Sequence, residues 1–123
     1  MKYLQLKDID CYIRALTLSN YVWDTVGGWS WFAKRTIGTQ FVDAVDSISA
    51  NIAEGFGRYN KKDKIKFYRY SFGSGKESLD WNQKAKIRKL VTDEKYQHIL
   101  NDLQALPKEI NQLIQYTNQK LKE

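Results

Sequence analysis

The sequence predicts an all-α fold, built as a left-handed, up-down-up-down antiparallel four-helix bundle. Three observations predict it. Apolar residues recur at three- and four-residue spacing over long stretches, which marks amphipathic helices rather than strands. Proline occurs once in 123 residues, at Pro107. Strong turn dipeptides are few, so the connections are short and successive helices run antiparallel.

The first helix is expected over residues 8–26. Ile9, Ile13, Leu16, Asn20 and Trp23 recur at helical spacing, and Asp8 is placed to cap the N-terminus. Gly27-Gly28 ends the helix, because glycine accepts the left-handed conformation common at C-caps. An aromatic connection, Trp29-Ser30-Trp31-Phe32, follows. The second helix is expected over residues 33–59, with Ile37, Phe41, Ala44, Ile48, Ile52, Gly55 and Tyr59 in a near-heptad stripe. A glycine on that stripe implies close approach by another helix. The third spans 61–90, with Ile65, Tyr68, Phe72, Gly75, Leu79 and Asn82 facing inward. Gly73-Ser74-Gly75 in its middle would break a lone helix, so packing must hold it, again with a close neighbour. The fourth spans 92–121. Thr92 caps it, Asp93 and Glu94 fill its first turn, and Tyr96, Ile99, Leu103, Leu106, Ile110, Leu113, Thr117 and Leu121 form its stripe. Pro107 implies a kink or short break near Ala105-Leu106. The whole chain, 1–123, reads as one domain.

Apolar residues make up 42% and aromatics 14% of the chain, which excludes disorder by composition. The single cysteine, Cys11, has no partner for an internal disulfide and reads as a small apolar filler. The first eight residues carry no apolar signal-peptide core, and no run approaches the ~18 apolar residues of a membrane span. The expectation is a cytoplasmic protein without a membrane partner.

Charge is unevenly placed. The net charge is +6, yet eleven bases and three acids between Arg58 and Lys89 give that segment +8 and leave −2 elsewhere. Arg58, Lys61, Lys62, Lys64, Lys66 and Arg69, extended by Lys84, Lys86, Arg88 and Lys89, form a candidate surface for a phosphate backbone. Tyr59, Phe67, Tyr68, Tyr70 and Trp81 interleave with them, and exposed rings among these would stack on unpaired bases. The competing reading is a solvated helix face with the rings in the core.

Ser47, Asn51, Glu54 and Arg58 share a second stripe beside the apolar face of the second helix. Antiparallel pairing would set Ser47 and Asn51 opposite Ser74 and Tyr70 of the third helix, and Glu54 opposite Phe67, with Arg58 within reach at i+4. A structural reading, register or subunit contact, competes with an acid pair, Glu54 and Glu77, for hydrolysis or metal binding. The second is weak, because two-metal bundles need Glu-x-x-His on two helices and this chain has one histidine, His98. No phosphate loop, catalytic triad or paired-cysteine motif is present. The chain is therefore expected to be no enzyme and to hold no cofactor or metal.

The stretch Ser47-Ile-Ser-Ala-Asn-Ile-Ala-Glu-Gly-Phe-Gly-Arg58 resembles the signature of the four-helix bundle family encoded in intervening sequences of 23S ribosomal RNA genes, often labelled "S23 ribosomal protein". Ser47, Ile48, Asn51, Ile52, Ala53, Glu54, Gly55 and Arg58 match it, as do Gln40 upstream and Gly73, Ser74 and Glu77 downstream. Ser49, Ser78, Asp43 and the Gly27-Gly28-Trp29 connection depart from its usual proline, leucine, basic residue and Phe-Pro turn. The resemblance implies a ring-like homo-oligomer, a homopentamer, and a structural polar motif at Gln40, Ser47, Asn51, Glu54, Gly55, Arg58, Gly73, Ser74 and Glu77. The chain is also similar to the accessory variability protein of diversity-generating retroelements, which implies RNA or DNA and a reverse transcriptase as partners. Three functions follow for weighing: a nucleic-acid-binding accessory protein; a protein-interaction scaffold using Trp29, Trp31, Phe32 and Trp81; and an enzyme using Glu54, Glu77 and His98.

Overall fold

A computed structural model describes residues 4–120. A short 3-10 turn, Leu6–Asp8, leads into helix α1 (Asp10–Gly27). Helix α2 covers residues 31–57 in three continuous pieces: α-helical Trp31–Ala33, a π-helical turn Lys34–Gly38, and α-helical Thr39–Gly57. Helix α3 is Lys61–Ile87 and helix α4 is Asp93–Lys120. There is no strand among the described residues. Helices α1 and α3 each pack on α2 and α4 and lie across the bundle's diagonal from one another.

Side chains and backbone fix the helix ends. Ser30 Oγ accepts from Ala33 N–H at 3.3 Å, Asn60 Oδ1 from Asp63 N–H at 2.8 Å, and Thr92 Oγ1 from Lys95 N–H at 3.1 Å. Each satisfies an orphan donor of a first turn. Helix α3 ends in a Schellman motif. Lys89 N–H donates to the Lys86 carbonyl at 3.0 Å and Leu90 N–H to the Ala85 carbonyl at 2.8 Å. Lys89 takes the left-handed conformation, φ 59°, that this motif requires.

The core is built on aliphatic side chains around two aromatic rings, Phe41 and Tyr68. Leu18, Val22, Phe41, Ile48, Ile52, Tyr68, Ile99, Leu103, Leu106 and Ile110 are fully enclosed. The expected stripes of α2 and α4 are confirmed along most of their length. Tyr59 is the exception on α2, since the helix stops at Gly57 and Tyr59 is 94% exposed. Leu121 lies outside the described residues. On α3 the buried positions are Tyr68, Ser71, Ser78, Asn82 and Ala85, while Ile65, Phe72 and Leu79 are only half-buried.

Helix α1 differs most from expectation. Ile13, Leu16 and Trp23 face outward, at 42%, 38% and 65% exposure. Its inner face is Cys11, Ala15, Leu18, Ser19, Val22 and Val26. Small side chains let α1 sit close to its neighbours; Ser19 Oγ reaches the Val45 carbonyl at 3.5 Å. Burial pushes the Cys11 thiol up to about 12, which keeps it an inert filler. Asp8 does not cap α1. Ile9 holds that position, and the Asp8 carboxylate instead accepts from Gln5 N–H at 3.0 Å. Nor does Gly28 enter the left-handed region: it closes the helix at φ −87°.

Helix α4 runs through Pro107 without the expected break. Leu106 and Ile110 on either side are buried, so packing carries the helix across the missing N–H donor. The close approach expected of the glycines holds at Gly55 only. A Cβ there would lie 2.6 Å from Tyr68 Cε1 and 2.8 Å from the Lys64 carbonyl oxygen. At Gly73 and Gly75 it would meet nothing within 4 Å, so these glycines serve no close packing.

Candidate nucleic-acid interface

Helical geometry decides which bases of α3 reach solvent. Lys62, Lys66, Arg69, Lys76 and Lys86 are exposed, as are Arg88 and Lys89 beyond the helix end. They do not form one continuous stripe. Arg69 and Lys84 are 15 positions apart, about 22 Å at 1.5 Å per residue. Between them lie one base, Lys76, and two acids, Glu77 and Asp80. The basic surface is thus two clusters, one at each end of the helix.

The first cluster gathers where α2 turns into α3. Arg58 Nε pairs with Glu54 at 2.9 Å, and its guanidinium lies 4.4 Å from the Phe67 ring centre. Lys66 Nζ lies 5.3 Å from the same ring, and Tyr70 meets Phe67 edge-on, centroids 5.3 Å apart. Phe67 therefore holds two cations in place while leaving their outer faces to water. Lys61, Lys62 and Arg69 complete the cluster. Lys64 is set apart from these exposed bases. Its ammonium donates to the Phe56 carbonyl at 2.6 Å, where it satisfies an orphan acceptor at the C-terminus of α2, and burial lowers its pKa.

At the other end Lys84 is paired with Asp80 at 2.6 Å and lies over Trp81, and Lys86 lies over Tyr96. Arg88 and Lys89 are exposed. Two bases outside the segment lie level with this end, on the side of the aromatic connection, Lys34 lining the groove beside Trp23 and Arg35 over Trp31. Ser71 Oγ donates to the Ile48 carbonyl at 2.9 Å, and Gly55 abuts Lys64 and Tyr68. This antiparallel register brings exposed Lys34 and Arg35, at the start of α2, level with the end of α3. Counting bases along one helix could not reveal them; pairing the two helices in register could.

The polar motif bonds mostly within its own helix. Ser47 Oγ donates to the Asp43 carbonyl at 2.8 Å and Asn51 Nδ2 to the Ser47 carbonyl at 2.8 Å, rather than across to Ser74 and Tyr70. Glu77 accepts from Trp81 Nε1 at 3.0 Å, Ser74 offers its carbonyl to Ser78 Oγ, and Gln40 is exposed. The hydrogen bonds that do cross from α3 to α2 come from Ser71 and Lys64, neither of which the motif includes. The proposed acid pair does not assemble. The register sets Glu54 level with α3 position 65, twelve residues from Glu77, or about 18 Å. His98 stands on α4, stacked on Tyr21 at 4.1 Å and 3.9 Å from Asp102. Among the described residues no three His, Cys, Asp or Glu side chains are grouped to hold a metal ion, and no helix is long and apolar enough to cross a membrane.

Two features escaped the sequence. Arg14 on α1 grips Glu109 at 2.7 Å and Asp102 at 2.8 Å on α4, and these bonds hold its pKa above the usual value. Exposed apolar residues gather on α1 and at the start of α2, where the Arg35 guanidinium lies 4.7 Å from the Trp31 ring centre. Trp31 and Phe32 are 70% and 72% exposed, and Trp23 flanks an open groove of about 400 Å³ between α1 and α2, lined by Val26, Gly38 and Val42. Trp29 and Trp81, grouped with them from sequence, are half-buried against the core instead.

Comparison with known proteins agrees with this architecture. No curated protein matches the sequence. The crystal structure of a protein of unknown function from the S23 ribosomal protein family of Bacteroides thetaiotaomicron superposes with a TM-score of 0.75. It is 19% identical and covers 85% of this chain and 97% of its own, a likeness of fold. The model of the 23S rRNA-intervening sequence protein family matches residues 7–112, the whole bundle but the end of α4. The chain belongs to the 23S rRNA-intervening sequence protein family.

Proposed function

We propose that this chain is a non-enzymatic accessory protein that binds RNA or DNA through the exposed bases of α3. The observation that carries this reading is the segregation of charge. A segment of +8 lies on the edge of the bundle diagonally opposite α1, with eight of its eleven bases held out to solvent. Lysine and arginine so placed neutralise phosphates and release counterions, which makes binding steeply salt-dependent. The separation of Glu54, Glu77 and His98 supports a binding role over a hydrolytic one.

A titration of labelled RNA and DNA by fluorescence anisotropy between 50 and 200 mM salt tests this. Affinity is expected to fall at least tenfold across that range. The triple change Lys62→Glu, Lys66→Glu, Arg69→Glu should abolish most of the binding. Absence of binding at 50 mM salt would sink the reading.

A second reading, self-association, has its own observation. Ile13, Leu16, Trp23, Trp31 and Phe32 expose more apolar surface than scattered single residues normally do. A ring of copies joined through α1 and the start of α2, five in number, would cover it. The two readings are compatible, because the exposed bases of α3 lie diagonally across the bundle from α1.

A further inference from the structure

The corner between α2 and α3 displays a ring with no role in the fold. Tyr59 is 94% exposed, more than any other large apolar side chain described. Yet the backbone on both sides of it is held. Arg58 N–H donates to the Gly55 carbonyl at 3.2 Å, and Asn60 caps α3 through Asp63 N–H. A short, clamped turn therefore presents Tyr59 to solvent.

What surrounds the ring gives it a use. Arg58, Lys61 and Lys62 are its near neighbours in the chain. Lys62, Lys66 and Tyr70 then follow one another at i+4 along a single row of α3. Tyr70 is 50% exposed and propped edge-on by Phe67, which also steadies Arg58 and Lys66. The order along the corner is ring, base, base, ring. A duplex buries the faces of its bases and offers phosphates and groove edges only, so rings at this corner gain nothing from it. An unpaired strand offers both phosphates and base faces.

Resting on the reading that the basic face binds nucleic acid, we propose that Tyr59 and Tyr70, flanking Lys62 and Lys66, form a base-stacking site that selects single-stranded over double-stranded nucleic acid. The flat base face is the feature recognised, and uridine and thymidine strands present it alike.

Anisotropy with a labelled oligouridine, an oligothymidine and a duplex of the same strand length, at one salt concentration, tests the proposal. Both single strands are expected to bind at least tenfold more tightly than the duplex. Tyr59→Ala should weaken single-strand binding about tenfold, leave duplex binding within twofold, and leave the melting temperature unchanged; Tyr59→Phe should behave as the parent. Equal affinity for single strand and duplex overturns the selectivity while leaving charge-driven binding intact. So does an equal loss for both ligands on Tyr59→Ala, or no loss for either. Failure of all three ligands to bind at low salt overturns this proposal and the reading beneath it together.

Discussion

Gly55 marks where α2 and α3 touch, and its consequences are sharp at the scale of one residue. A methyl there would press on the ring of Tyr68, which is 1% exposed, and on the backbone of Lys64. Neither can yield without moving a helix. Gly55→Ala is expected to destabilise the chain by about 1–3 kcal/mol in urea unfolding, outweighing the ~1 kcal/mol that alanine returns to a helix. Gly73→Ala serves as the control, since it meets nothing and should stabilise by up to about 1 kcal/mol. Gly55 was legible because it interrupts a run of large apolar residues on the core face. Lys64 was not. In sequence it is one more lysine in a basic run, and its task depends on a carbonyl eight residues upstream that only the folded turn brings near.

At the scale of elements, the end of α3 carries a testable strain. Lys89 occupies the left-handed position of a Schellman motif, where a side chain crowds the carbonyl and glycine is favoured. Lys89→Gly is expected to raise stability by about 0.5–1 kcal/mol, read as a higher melting temperature, and to remove one exposed positive charge. Helices α2 and α4 were readable because large aliphatic residues mark their inner faces. Helix α1 reverses that cue. It buries Cys11, Ala15 and Ser19 and turns Ile13, Leu16 and Trp23 outward, so ranking faces by side-chain size selects the wrong one. Its inward face is recognisable only once the adjoining helices are in place. The tie from Arg14 to Asp102 and Glu109 likewise joins residues 88 and 95 positions apart in the sequence.

For the whole molecule, the apolar edge at α1 and the basic edge at α3 are set diagonally apart. Trp31→Ala combined with Trp23→Ala is expected to shift the mass measured by light scattering toward the single chain, without altering the helical circular dichroism spectrum. A single-chain mass in the unaltered protein at every concentration would remove self-association. The four-helix architecture was evident from periodicity, because a bundle needs little more than stripes and short turns. The split of the basic surface was not, because it depends on helix length: 27 residues set the two ends of α3 about 40 Å apart. The diagonal has one further effect. Were copies joined at α1 as proposed, every α3 edge would stay free, and an assembly would offer one proposed nucleic-acid contact per copy. With the first copy engaged, the rest would meet the same strand at high effective concentration, and individually weak contacts would add up to avid binding.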